Sequence, residues 1–473
     1  MDVNRHNIKA IYPLSPVQQG MLFHTLHTPA SGVYFEQLIC TLDEGLDVSA
    51  LKASWQRVVE RHPILRTFFV WEHRDRPLQI VREQVKLPWE EYDWRGDNLA
   101  KKQAQLEGFL EIDRRRGFDL TKAPLMRLSL IRVTQETYQF VWSFHHILMD
   151  GWCLPLILKE VSAFYEAFRH GKDLYLETPR PYQDYIAWLQ QQDLSKAETF
   201  WRERLRGFTA PTSLETNWTT SASPDQTQGY GEQQVRLSVA ATAALQAFAR
   251  QHQLTLNTLV QGAWALFLSR YSGEEDVVFG VTVSGRSTDL VGVESMIGLF
   301  INTLPMRVQS PREAPLLPWL TEIQAQQVNM QQYEYTPLAE MQRWSRAPHG
   351  TPLFESILVF ENFPLSDFSR GHNGDLKIRD LRCVEKTNYP LTVIAGPGTE
   401  LLLRMSYDCS RFDAATITRM LIHFQTLLQD IVQDSQRKLA EIKMILEEER
   451  EQWCSKFGDD LESILSLQES FVG

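Results

Sequence analysis

Tyr138, Phe140, Trp142 and Phe144 occupy every second position, and His146 continues the series. A period of two puts such residues on one face of a β-strand, with His145 on the other. Upstream, Pro124–Val133 alternates less cleanly, and a polar turn at Thr134–Thr137 joins the two runs into a hairpin of a mainly antiparallel sheet. Downstream, Leu154, Leu158, Val161, Tyr165 and Phe168 recur at helical spacing, with Pro155 in the first turn, where a missing N–H is tolerated. Nearer the N-terminus, Ser15 followed by Pro16 predicts a capped helix start. A strand is predicted over 34–43. Leu51, Trp55, Val58 and Val59 then mark a helix opened by Asp47 or Ser49, and Pro63 ends it before a strand that starts within Arg61–Val70.

The second half follows a similar order. Residues 181–207 read as helical. Residues 207–231, rich in Thr, Ser, Pro, Gly and Asn, read as a connecting loop. Helices at about 239–252 and 256–271 precede a strand at Asp276–Val283. A helix at about 316–333, strands at Leu353–Phe360, Leu391–Ile394 and Leu401–Tyr407, and a long amphipathic helix at about Ala414–Val432 complete the pattern. The expected organisation is an N-terminal lobe over 1–180, a C-terminal lobe over 181–445, and a charged linker or tail over 446–473. No second H-H-x-x-x-D occurs, so only one half carries the histidine site.

Composition narrows the class. At 473 residues the chain exceeds one ordinary core. Its formal net charge of −11 argues against nucleic acid or an anionic membrane as the main partner. Five scattered cysteines without C-x-x-C indicate free thiols in a reducing compartment, with neither a zinc site nor a disulfide framework. The N-terminus has no apolar signal core, and no run of 18 apolar residues occurs, so a soluble cytoplasmic protein is expected.

Chemistry concentrates in H-H-I-L-M-D-G-W, His145–Trp152. Two adjacent histidines on opposite strand faces suit division of labour better than shared metal ligation. Imidazole titrates near neutral pH, so His146 can serve as a general base, a role that contributes ~10²–10⁴-fold. Asp150 can orient an imidazole or pair with a buried cation. Gly151 permits a backbone approach that a Cβ would block. No G-x-S-x-G and no phosphate-binding glycine loop is present. Direct transfer between two bound substrates is the economical reading.

H-H-I-L-M-D-G resembles the H-H-x-x-x-D-G signature of condensation domains of nonribosomal peptide synthetases, relatives of chloramphenicol acetyltransferase. Other stretches resemble that family's core motifs in order. They are Tyr12–His24, Arg61–Phe69, Tyr182–Trp188, Ile297–Arg307, Tyr333–Leu338 and Gly350–Asn362. The resemblance implies an α/β fold of two acetyltransferase-like lobes in a V-shaped pseudo-dimer with a central tunnel. It implies a monomer that binds no cofactor itself. Donor and acceptor peptidyl carrier proteins present thioesters on phosphopantetheine arms, and the acceptor amine attacks the donor thioester. By position, His146 matches the histidine that positions or deprotonates the amine, and His145 matches a structural partner. Asp150 matches the aspartate paired with the second-motif arginine, here Arg66. Gly151 offers its N–H near the thioester, Trp152 supports the loop, and Asn302 shapes the tunnel. Cys153 departs from the usual Ser and implies a weaker helix cap. S-P-V-Q-Q-G-M-L-F-H and Y-E-Y-T-P-L look like the subtype whose donor ends in a D-residue. An epimerisation domain, an acyltransferase using a soluble substrate and a non-catalytic recruitment module are the rival readings.

Overall fold

The computed structural model describes residues 7–445 apart from 30, 44, 97, 215–228, 287–288, 349 and 362–374. The expected tail over 446–473 and most of the 207–231 loop lie outside the described residues. The chain divides into two compact units. The first comprises the described residues of Met1–Gln192, Ser284–Ile301 and Phe363–Asn388, and the second those of Asp193–Val283, Asn302–Asn362 and Tyr389–Gly473. The division at 192/193 differs from the expected one at 180, and two segments of the second half join the first unit.

The first unit contains β1 (Ile8–Pro13), β2 (Phe35–Leu42), β3 (Thr67–Val70), β4 (Leu78–Arg82), β5 (Trp89–Asp93), β6 (Met126–Arg132) and β7 (Tyr138–His145). Its helices are α1 (Pro16–His27), α2 (Val48–Arg61), α3 (Leu99–Arg116), α4 (Cys153–Arg169) and α5 (Tyr182–Leu189). The predicted β6–β7 hairpin forms, and β7 also pairs antiparallel with β2, Phe35 lying opposite His145. Ser15 caps α1 in a reciprocal capping box with Gln18, and Asp47 caps α2 by accepting from the Ala50 N–H. The alternation of β7 stops one residue earlier than its sequence pattern. His146 opens a single 3₁₀ turn, His146–Leu148, instead of sharing the strand face of Phe144. Both faces of this sheet are covered. Trp55 of α2 meets Phe140 and Trp142 at ring distances of 5.7 and 4.7 Å. On the other face Leu106 and Leu110 of α3 pack with Ile39, Ile131 and Val141. This burial holds the end of β7 rigid, which suits a site needing sub-ångström placement.

The second unit carries α6 (Leu194–Arg204), α7 (Val239–Gln251), α8 (Leu256–Ser272), α9 (Leu316–Gln331), α10 (Leu338–Trp344) and α11 (Ala414–Ile431). Its strands are β8 (Tyr230–Arg236), β9 (Asp276–Val283), β10 (Asn302–Gln309), β11 (Ser356–Phe360), β13 (Leu391–Gly396) and β14 (Leu402–Asp408), ordered β10-β9-β11-β13-β14-β8. β12 (Ile378–Val384) belongs instead to the first unit, where it pairs with β2 at the edge of the sheet β12-β2-β7-β6-β5. β9 and β10 pair in an antiparallel ladder from Asn302 opposite Val283 to Gln309 opposite Asp276. The link between them, 284–301, is therefore a long excursion into the first unit. Among the described residues no helix is long and apolar enough to cross a membrane.

Candidate active site

The site grows from the end of β7. His145 is 3% exposed, and its Nδ1 accepts from the Ile147 N–H at 3.1 Å. Its Nε2 lies 3.2 Å from Thr25 Oγ1, whose own proton goes to the Met21 carbonyl at 2.8 Å. Those partners fix one neutral tautomer, with Nε2–H donating to Thr25. Burial, with His146 adjacent, pushes the His145 pKa down to about 3. His145 is thus a neutral imidazole with both ring nitrogens engaged. An unfolded histidine takes up a proton near pH 6.5, whereas this one resists until about 3, so its contribution to stability is lost as pH falls through that window. His145→Gln is expected to reduce proton uptake on acid unfolding by about one proton between these limits. Unchanged uptake, measured by the pH slope of denaturant midpoints, would refute the assignment.

His146 is only partly buried and is held twice. Its backbone N–H donates to the Tyr34 carbonyl at 2.8 Å, and its Nδ1 lies 2.8 Å from the Met149 carbonyl. A carbonyl only accepts, so Nδ1 carries the proton and Nε2 presents a lone pair in the neutral ring. Among the described residues that lone pair has no hydrogen-bond partner. Gln18, buried in α1, steadies the same turn by donating to the Ile147 carbonyl at 3.0 Å. Trp152 sits at the N-cap of α4 without a side-chain capping bond, and the Gly151 carbonyl accepts from the Leu154 N–H at 3.1 Å. The Gly151 N–H itself has no acceptor among the described residues.

Asp150 is buried, but its partner is not the expected one. Its Oδ1 accepts from Arg286 Nη2 at 3.2 Å and its Oδ2 from the Phe300 N–H at 2.9 Å. Arg66 is also buried, yet it serves backbone carbonyls only: Val59, Glu60, Arg82 and Glu83. It sits just beyond the C-terminus of α2, where the last-turn carbonyls lack helical partners, and burial lowers its pKa. The expected Arg66–Asp150 pair is therefore replaced by Arg286–Asp150. Arg286 also donates to the Val293 and Met296 carbonyls at 2.6 and 3.0 Å, and its guanidinium lies 4.1 Å from the Phe300 ring centroid. Burial works against its charge, but Asp150 and Cys153 alongside raise its pKa overall.

Two glycines let the 284–301 segment reach this place. At Gly285, φ is +62°, and a Cβ would stand 1.9 Å from the Phe300 carbonyl oxygen. At Gly298 a Cβ would stand 2.1 Å from the ring of Tyr182, whose hydroxyl donates to the Leu299 carbonyl at 2.6 Å. Cys153 joins the same cluster, its Sγ 3.2 Å from both the Gly298 oxygen and Arg286 Nη2. Burial, aided by Asp150, pushes its thiol up to about 12. The group is an inert internal hydrogen-bonder, and native protein is expected to leave Cys153 unalkylated by iodoacetamide until denaturant is added. Alkylation in native buffer, mapped by peptide mass spectrometry, would contradict this.

Asn302 belongs to the second unit. Its amide nitrogen donates to the Glu334 and Thr336 carbonyls at 2.8 and 2.7 Å, and its oxygen accepts from the Thr303 N–H. The side chain fixes the backbone of the sixth motif and has little capacity left for another ligand. Sequence reasoning missed Arg286, Gln18, Thr25 and Tyr34. Only Arg286 left a visible trace, as the sole cation in 284–301. Among the described residues no cluster of His, Cys, Asp and Glu could hold a metal ion.

The mixed α/β architecture is a chloramphenicol acetyltransferase-like fold. Among proteins of this fold the chain belongs to the condensation-domain family, whose profile matches residues 8–454. It is 49% identical over 446 residues to a linear gramicidin synthase protein of Brevibacillus parabrevis, covering 94% of this chain and 6% of that protein. It is 36% identical over 461 residues to bacitracin synthase 3 of Bacillus licheniformis, covering 96% and 7%. The chain thus spans a small part of the curated relatives it matches. A solved four-domain nonribosomal peptide synthetase bound to AMP and glycine superposes with a TM-score of 0.77 at 19% identity, covering 93% of this chain and 34% of that one. The starter condensation domain of rhizomide synthetase gives 0.76 at 18% identity, covering 93% and 100%. At such identities the structural likeness speaks for the fold alone.

Proposed function

We propose that this condensation domain forms amide bonds between two thioesters, each carried on the phosphopantetheine arm of a carrier protein in the cytoplasm. The observation that carries the reading is the pinned imidazole of His146. With Nδ1–H held by the Met149 carbonyl, Nε2 is the one ring atom able to accept a proton or a hydrogen bond from an incoming amine. The acceptor amine attacks the donor carbonyl carbon as its N–H points at Nε2. The tetrahedral intermediate collapses, the C–S bond breaks, and the proton leaves with the thiolate as a free thiol. A model α-amino group has a pKa of about 7.7–8.0, so much of the benefit is alignment of an already neutral amine. The Gly151 N–H is available to the oxygen that gains charge. Asp150 and Arg286 keep the loop in register, Arg66 and Trp152 support the elements around it, and Asn302 acts by shaping backbone.

The likeness of the first and sixth motifs to the D-donor subtype supports a donor that ends in a D-configured residue. Incubating the domain with both loaded carriers, followed by intact-protein mass spectrometry, is expected to show transfer from a D-terminated donor at least about tenfold faster than from its L-epimer. No transfer from any member of a panel of D- and L-terminated donors would refute the function. Equal rates would refute the subtype alone.

A further inference from the structure

Tyr34 stands immediately before β2 with φ at +63°, a left-handed conformation that a bulky aromatic residue seldom adopts. Strain of this kind persists only where the surroundings over-determine it, and it clusters at functional sites. Here three hydrogen bonds do so. The Tyr34 N–H donates to the Lys386 carbonyl at 2.9 Å, its hydroxyl to Asn388 Oδ1 at 2.7 Å, and its carbonyl accepts the His146 N–H at 2.8 Å. The Asn388 amide is itself oriented, its Nδ2 lying 3.3 Å from His24 Nε2. The Tyr34 ring stands edge-on to the His146 imidazole, with centroids 6.4 Å apart.

We propose that Tyr34 is a positioning residue for His146, with its left-handed backbone aiming the carbonyl that fixes the His146 backbone and the 386–388 segment locking that carbonyl in place. Met149 anchors the ring at one nitrogen, while Tyr34 anchors the backbone from which the ring hangs. Together they leave Nε2 a single direction. The functional consequence rests on the amide-forming reading above, but the geometric claim does not.

The test compares substitutions that separate backbone from side chain. Tyr34→Asn removes the ring but tolerates a left-handed φ, whereas Tyr34→Val removes it and resists that φ. In single-turnover amide formation, Tyr34→Val is expected to be at least about tenfold slower than Tyr34→Asn, at unchanged half-saturating acceptor-carrier concentration. Equal losses in the two variants would overturn the proposal. Should Tyr34→Val fail to fold, Tyr34→Phe and Asn388→Ala take its place. Each is expected to slow turnover about three- to tenfold, with the double variant no slower than either single one. Full additivity or wild-type rates would overturn the lock. A second measurement reads the ring without catalysis: NMR of isotope-labelled histidine, with His146 assigned by its Gln variant. The wild type is expected to show His146 as the Nδ1–H tautomer, and Tyr34→Val or Asn388→Ala a tautomer mixture. Identical ring-nitrogen shifts in all proteins would overturn the positioning role. Shifted signals in a protein that transfers nothing would support it while refuting the proposed activity.

Discussion

Replacing His146 by alanine is expected to lower the single-turnover rate of amide formation by about 10²–10⁴-fold while leaving apparent carrier affinity unchanged. The reasoning follows from what the imidazole touches. It gives one hydrogen bond, to the Met149 carbonyl, and is only partly buried. Its loss therefore costs about 0.5–1.5 kcal/mol of stability, within the reach of one ordinary hydrogen bond. His146 and His145 part company here. Removing His145 leaves the Ile147 N–H and the Thr25 hydroxyl without their ring partner inside a closed core, so its substitution should register first in thermal unfolding. A His146→Ala protein within about threefold of the wild-type rate would end the chemical assignment.

The second large effect concerns the buried ion pair. Asp150→Ala strands the Arg286 guanidinium, whose side chain is 5% exposed, and deprives the Phe300 N–H of its acceptor. Breaking one side of such a pair costs about 3–5 kcal/mol, which for a unit of this size lowers Tm by about 6–20 °C. Replacing both partners by apolar residues of similar volume, Asp150→Leu with Arg286→Met, should recover much of that loss. A double-mutant cycle between Asp150 and Arg286 is expected to give a coupling of about 1–3 kcal/mol, whereas Asp150 with Arg66 should add within about 0.5 kcal/mol. The reverse ranking, read from denaturant melts, would restore the pairing with Arg66. Activity lost in Asp150→Ala reports a displaced loop, since Asp150 faces Arg286 and the Phe300 backbone.

Local physics made much of this legible. The β6–β7 hairpin, the Ser15 and Asp47 caps and the α4 stripe depend on neighbours a few residues apart, and the structure places each close to its sequence pattern. His146 and Asp150 stand out in the sequence for the same reason, being four residues apart in one short motif. The partner of the Asp150 carboxylate is not legible in the same way: the resemblance points to Arg66, and the structure pairs Arg286. Arg66 had a local fate that helix-end rules anticipate, because carbonyls left open by the last turn of α2 draw a nearby guanidinium. Arg286 meets Asp150 only because the β9–β10 link leaves its own sheet, and no periodicity encodes such a detour. The early end of β7 was hidden likewise. His146 fits the alternation, but its N–H is taken by Tyr34 and its neighbours close a 3₁₀ turn.

The detour also sets a clock on the ribosome. Asp150 and its cation lie 136 residues apart, and the Phe300 N–H lies 150 residues from the carboxylate it serves. At about 5–20 residues per second, roughly 8–30 s pass between synthesis of the histidine loop and synthesis of the groups that neutralise it. During that interval the growing chain contains neither Arg286 nor the Phe300 N–H for Asp150, nor the Gly298 carbonyl that meets Cys153. Slowing synthesis between Asp150 and Phe300 is therefore expected to lower the yield of folded protein more than slowing it downstream of Ile431.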